Sequence, residues 1–261
     1  MKLLRNLPNL LTLLNLLLGC WAIVYIYYDH LLIMDAQRNV YVDMGRMQTA
    51  ALFVMVAAVI DFLDGFVARL LRAQSAIGQQ LDSLADMVTF GLVPGLIMYQ
   101  LIARSYYVSA EAFDYPILYY SAGFFLTLCA AWRLARFNTE QASTTFKGLP
   151  TPAMAIFVIA LPLIIQNDEW GAAAWLSGKW VLMGIAFALG WLMTSRIPMI
   201  SLKLHGFSYS ANKWSYLLIG ISVLTFIIAV SLFQLTFAAI PLVILVYIIL
   251  SIIKNLIENG I

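Results

Sequence analysis

Long uncharged apolar runs, separated by short clusters of charge, dominate this chain. Residues 6–28 carry no charge over 23 positions. At about 1.5 Å per residue, a helix of that length exceeds a hydrocarbon core of roughly 30 Å. Residues 115–132, 148–167 and 180–195 are further uncharged runs of 18, 20 and 16 residues, the last extendable past Lys179, whose stem can snorkel. Residues 214–253 form 40 uncharged positions, enough for two crossings, and predict a helical hairpin turning near Gln234. Two stretches depart from the pattern. Residues 47–60 are cut off by Asp61 and Asp64, and residues 87–103 are preceded by Asp82 and Asp86. Each is short of a crossing unless its helix includes the aspartates, so both are extended, to 47–72 and 80–103. The pattern predicts an all-α, polytopic integral membrane protein of about eight transmembrane helices. Residues 1–261 read as a single membrane-embedded domain, with 214–254 an extra C-terminal helical hairpin.

Composition agrees and narrows the class. The chain is 63% hydrophobic and 11% charged, against about 45–50% and 25% in soluble domains. A soluble enzyme, a disordered chain and a disulfide scaffold are excluded, and the unbroken runs exclude an alternating outer-membrane barrel. A net charge of +2 gives no reason to expect nucleic acid as a partner. Cys20 and Cys129 sit in apolar stretches and read as buried thiols. The first apolar run is too long for a cleavable signal and lacks a small-residue cleavage site. With the N-terminus in the cytoplasm, 11 of the 15 Lys and Arg fall on the inner side, so both termini are expected to be cytoplasmic. The outer loops are then 29–46, 105–114 and 167–170. Segment 196–213 is expected along the inner interface, and His30 and His205 at helix ends.

The chemistry concentrates in two helices. Asp61, Asp64, Gly65 and Ala68 recur at i, i+3, i+4 and i+7, one helix face, with Arg69 next. Gly78, Asp82 and Asp86 recur at i, i+4 and i+8, again one face. A short loop around Arg72–Ile77 makes the two helices antiparallel neighbours, so the four aspartates meet near a membrane boundary. One Asp at a helix centre costs on the order of 2.5–3.5 kcal/mol, and four would also repel one another. Divalent cations are the natural compensation, because hard carboxylate oxygens suit Mg²⁺ or Mn²⁺. Gly65, Ala68 and Gly78 leave bare backbone against which a flat group could lie, and Arg69 suits a phosphate. Two readings follow: a diphosphate-binding site, or an acidic ion or proton pathway as in a transporter.

The spacing D-x₂-D-G-x₂-A-R-x₈-G-x₃-D-x₃-D resembles the signature of the CDP-alcohol phosphotransferases, at Asp61, Asp64, Gly65, Ala68, Arg69, Gly78, Asp82 and Asp86. The resemblance implies an integral membrane enzyme that displaces CMP from a CDP-linked lipid with an acceptor hydroxyl. It implies two metal ions held by Asp61, Asp64 and Asp82, with Asp86 also close to them and acting as general base. Further segments resemble the phosphatidylserine synthase branch: Pro8-Asn9 through Thr12 and Asn15, Asp82 through Pro94, Arg133 through Asn138, Gly148 through Ala153, and Ser195 through Pro198. Thr89 and Thr151 stand where that branch often has Ser. The resemblance covers about residues 8–203, the expected catalytic core.

That branch implies CDP-diacylglycerol and L-serine as substrates, within membrane lipids. Arg133 and Arg136 share a helix face and are candidates for the serine carboxylate, Arg being suited to bidentate recognition; positive-inside anchoring is the alternative. Asn138 is a candidate for the ammonium or for backbone. Asn9 and Thr12 are candidates for the nucleotide, or for helix capping. CDP-diacylglycerol contacts are thus expected from Asn9, Thr12, Gly65, Ala68, Arg69 and Gly78. Glycerol 3-phosphate or an inositol compound remains open as the acceptor, although phosphorylated acceptors would want a larger basic cluster. The resemblance further implies a homodimer in a bacterial cytoplasmic membrane, with the site at the cytoplasmic boundary.

Overall fold

A computed structural model describes residues 6–28, 33–34, 40–41, 44–73, 75–107, 117–139, 146–201 and 209–259. His30, His205, most of loops 29–46 and 105–114, and the middle of segment 196–213 lie outside the described residues.

Helix α1 spans Leu7–Tyr27, with Pro8 in its first turn, where a missing N–H costs nothing. Its buried face is Pro8, Thr12, Asn15, Gly19, Ala22 and Ile26, alternately four and three apart, with Leu18 buried beside Gly19. Helix α2, Gly45–Leu70, answers with Met47, Ala50, Ala51, Val54, Ala57 and Asp64. Small residues on both faces let the two backbones approach, and α1 packs more extensively on α2 than on any other element. The opposite face of α1, including Leu10, Leu13, Leu17 and Trp21, is exposed where lipid would lie.

Chain reversal after α2 is tight. Arg72 takes φ +49°, and Ser75 caps helix α3 (Ala76–Asp86), its Oγ accepting from the Gly78 N–H at 3.0 Å. Ile77, expected in the loop, is therefore already helical. After Asp86 the helix widens into a π turn over Met87–Leu92 and continues as α4, Val93–Tyr107. In that turn Thr89 Oγ1 donates to the Asn15 carbonyl at 3.2 Å. Gly19 leaves the room on α1 that Thr89 needs.

A 3₁₀ segment, Ile117–Phe124, leads into α5, Phe125–Thr139. Helix α6, Thr151–Asn167, is buried almost all round from Phe157 to Ile165 and is the centre of the bundle. At Asp168 (φ +44°) the chain bends by 106° into Glu169–Leu176, which contains the short α7 (Ala172–Leu176). Helix α8 is Lys179–Thr194. Two short ladders punctuate the helices: β1 (Ile33–Met34) with β2 (Val40–Tyr41), and β3 (Phe146–Lys147) with β4 (Pro198–Met199), both antiparallel. The predicted hairpin is α9 (Tyr209–Phe233) and α10 (Ala239–Asn259), and Gln234 begins its turn at φ +55°.

The protein is an all-α integral membrane protein. Five described helices are long and apolar enough to cross a bilayer, and the bent pair around Asp168 makes six. Length alone gives fewer than eight because Lys179–Thr194 is a shorter apolar helix and residues 117–139 begin in 3₁₀ geometry. Cys129 is buried, as expected, but Cys20 lies on the exposed face of α1.

Candidate active site

Helices α1, α2 and α3 meet at the acidic cluster. One carboxylate oxygen from each of Asp61, Asp64 and Asp82 lies within 4.8 Å of the others. Asp64 is the most enclosed, 5% exposed, and Thr12 Oγ1 donates to its Oδ2 at 2.7 Å. Thr12 is thus neither a helix cap nor simply a cavity wall; it orients a carboxylate. Asp86 stands one turn beyond Asp82, with its carboxyl in hydrogen-bonding reach of Asp61. Its Oδ1 is buried with no hydrogen-bond partner. Carboxylates this close are not tolerated as bare anions in an apolar bundle; protons or cations must lie among them. Oxygens bound to one Mg²⁺ at about 2.1 Å sit at most about 4.2 Å apart. The three-aspartate set, with its oxygens within 4.8 Å of one another, is of the size that ligands around one divalent cation span.

Two cavities flank the cluster. The larger, about 550 Å³, is lined by Asn9, Thr12, Asp64, Gly65, Ala68 and Gly78, together with Pro8, Ser75, Gln79 and Asp82. Its walls are largely backbone and small side chains. A Cβ at Gly65 would meet nothing within 4 Å, so the helix there is bare towards the space. The smaller cavity, about 220 Å³, is lined by Asp82, Asp86, Ser83, Arg133, Asn138 and Thr151, among others. Arg133 is 7% exposed and its Nη1 donates to Thr151 Oγ1 at 3.1 Å. Asn138 Nδ2 donates to Ser83 Oγ at 2.9 Å, tying α5 to α3. Asp82 belongs to both walls.

Two expected residues lie elsewhere. Arg69 does not line the larger cavity; its Nε donates to the Gly65 carbonyl at 2.9 Å, and it lines an apolar groove with residues of α6, α9 and α10. Arg136 does not line the smaller cavity; its Nη1 donates to the Thr194 carbonyl at 3.2 Å, towards α8. Thr151 and Ser83 were not assigned roles from sequence. The available signal was the Pro150-Thr151-Pro152 triplet opening a helix, and the position of Ser83 beside Asp82.

The comparisons with known proteins bear on this geometry. A family profile described as CDP-alcohol phosphatidyltransferase matches residues 5–195. The chain belongs to that family. The chain is 32% identical over 223 residues to a Mycobacterium tuberculosis protein named CDP-diacylglycerol–serine O-phosphatidyltransferase, covering 82% of this chain and 67% of that one. A Mycobacterium leprae protein of the same name is 37% identical over 161 residues, 58% of this chain and 49% of that one. A Bacillus subtilis protein of that name is 28% identical over 173 residues, 65% of this chain and 85% of that one. The chain thus spans about half to two thirds of the length of the two mycobacterial relatives. Family membership favours group transfer over the transport reading of the aspartates.

Proposed function

We propose that the protein transfers the phosphatidyl group of CDP-diacylglycerol to the hydroxyl of L-serine, giving phosphatidylserine and CMP. The observation that carries this reading is the acidic cluster set between two unlike cavities, with Asp82 in the wall of both. The names of the relatives support serine as the acceptor.

In this reading the larger cavity takes the nucleotide diphosphate against Gly65, Ala68 and Gly78, with Asn9 beside it. Arg69 meets the lipid part of the same substrate from the neighbouring groove. Arg133 and Thr151 receive the amino acid carboxylate, and Asn138 its ammonium side. The free Oδ1 of Asp86 accepts the hydroxyl proton as the serine oxygen bonds to the β-phosphorus; the bond from that phosphorus to the CMP oxygen breaks, and CMP leaves. Asp61, Asp64 and Asp82, with Asp86 adjacent, would hold divalent cations, two by resemblance and Mg²⁺ or Mn²⁺ by donor chemistry. When bound these neutralise the diphosphate oxygens.

The uncharged runs support eight spans, and the charge asymmetry supports both termini cytoplasmic with the site at the inner face of a cytoplasmic membrane. A cysteine introduced at Ala73 should then be labelled by an impermeant reagent only from the inner side of oriented vesicles. The homodimer rests on resemblance, and crosslinking in native membranes tests it. The reaction itself is tested by CMP release from CDP-diacylglycerol in detergent-purified protein. Release that depends on L-serine, and not on glycerol 3-phosphate, is expected; release indifferent to serine overturns the acceptor assignment.

A further inference from the structure

The C-terminal hairpin lies beyond the family match, which ends at residue 195. Its second helix, α10, carries Tyr247, Ser251 and Asn255 at i, i+4 and i+8, a polar row on a helix whose other polar residues, Lys254, Glu258 and Asn259, all fall in its last six positions. All three grip one short segment. Tyr247 Oη donates to the Ile200 carbonyl at 3.3 Å, Ser251 Oγ accepts from the Ile200 N–H at 3.1 Å, and Asn255 Nδ2 donates to the Pro198 carbonyl at 2.7 Å. From α9, Ser215 Oγ adds a bond to the Ser201 carbonyl at 2.8 Å. Ser251 is 0% and Ile200 2% exposed, so the bond between them forms away from water, where losing it leaves a buried N–H unpaired.

The gripped segment leads to the smaller cavity. Pro198 and Met199 form β4, paired in register with Lys147 and Phe146 of β3. The Gly148 N–H donates to the Ile197 carbonyl at 2.9 Å, and the Leu149 N–H to the Leu192 carbonyl at 3.0 Å. Gly148 takes φ +73° with the Ser195 carbonyl 2.9 Å from where a Cβ would stand, so only glycine fits this junction. Next come Pro150, Thr151 and Pro152, all lining the cavity, with Thr151 accepting from Arg133. Prolines on both sides leave Thr151 little backbone freedom of its own. Where it stands depends on where β3 and β4 stand.

We propose that the hairpin braces the acceptor cavity. The Tyr247–Ser251–Asn255 row fixes β4, β4 fixes β3 and Gly148, and this holds Thr151 against Arg133. The three are positioning residues, and none of them lines the smaller cavity. The inference rests on the proposed serine reaction, and its test separates the two. Ser251→Val and Ser251→Thr differ by a methyl for a hydroxyl at nearly the same volume. Full-length Ser251→Val should raise the KM for serine about tenfold, the consequence of one buried N–H left unpaired. Its KM for CDP-diacylglycerol should stay within about twofold, and Ser251→Thr should recover most of the serine KM. Equal serine KM in the two variants, or equal rises in both KM values, overturns the brace. Wild-type protein without serine-dependent CMP release overturns the reaction instead. Should Ser251→Val fail to fold, Asn255→Ala, nearer the helix end, carries the same test: a serine-selective KM rise of about threefold supports the brace, and an unchanged serine KM overturns it.

Discussion

The two cavities beside the acidic cluster are built from different side chains. The larger is walled by Gly65, Ala68, Gly78 and the capped start of α3, with little charge besides Asp64 and Asp82. The smaller is walled by the polar side chains of Ser83, Asp86, Arg133, Asn138 and Thr151, drawn from α3, α5 and α6, with Leu134, Phe137, Pro150 and Pro152 between them. Bare backbone suits a large flat substrate that brings its own charge, whereas convergent donors suit a small zwitterion that must be told from other alcohols. In the proposed reaction, electrostatics falls to the aspartates between the cavities, with Asp82 in both walls, space to one side and discrimination to the other. Each substitution below should move one side of that division and leave the other alone.

The shared wall should give the largest effect. Asp82→Ala removes an oxygen from the cluster and a boundary from both cavities, so turnover should fall below detection whichever substrate is varied. EDTA treatment of the wild type should do the same, with activity restored by Mg²⁺ or Mn²⁺. Isothermal titration of metal into Asp82→Ala checks the cause. Full activity in the chelated wild type would remove the metal role from all four aspartates.

Asp86→Asn should keep the shape of the site and lose the proton acceptor. A kcat reduced by about 10² or more is expected, the usual scale for losing a general base, with binding of CDP-diacylglycerol retained. Near-normal kcat in purified protein would return Asp86 to a purely structural place beside Asp61.

The two arginines sharpen the discrimination side. Arg133→Ala should raise the serine KM by about 10- to 150-fold, as losing a charged hydrogen-bond partner costs roughly 1.5–3 kcal/mol. Arg136→Ala should change it little, because Arg136 points to the Thr194 carbonyl. Steady-state kinetics with serine varied decides between them, and the reverse result would mean that the cavity rearranges before serine enters.

The arginines also show what the chain discloses unaided. The aspartate cluster is legible because it needs only local rules: two helical periods and one short connection bring Asp61, Asp64 and Asp82 together. Arg133 and Arg136 obey the same period, yet which of them enters the cavity depends on how α5 is rotated against α6 and α8, a tertiary fact. That Arg69 lines the neighbouring groove and not the larger cavity follows from local rules too. Arg69 follows Ala68, and one residue is about 100° round a helix, enough to leave the aspartate face. The polar row on α10 was also visible at i, i+4 and i+8, but its partners are backbone groups of a distant strand that no local pattern reveals.

The space side is tested most finely by its glycines, where the smallest effect is expected. An alanine at Gly65 meets nothing within 4 Å, so folding should not suffer. Replacing a helix-interior glycine should even stabilise the chain by about 0.5–1 kcal/mol. The new methyl projects where the diphosphate is expected, and crowding of about 1 kcal/mol would raise the KM for CDP-diacylglycerol roughly fivefold. Gly78→Ala differs, since its Cβ would stand 2.9 Å from Asn9 Oδ1 and 3.1 Å from Ser75 Oγ. That substitution disturbs the cap of α3 as well as the cavity, so stability and lipid affinity should fall together. Thermal unfolding beside lipid-varied kinetics separates the pair. A Gly65→Ala protein at least as stable as the wild type, with weaker lipid affinity and an unchanged serine KM, is the outcome the division requires. An unchanged CDP-diacylglycerol KM would mean that the substrate does not lie against that helix face, and the larger cavity would lose its assignment.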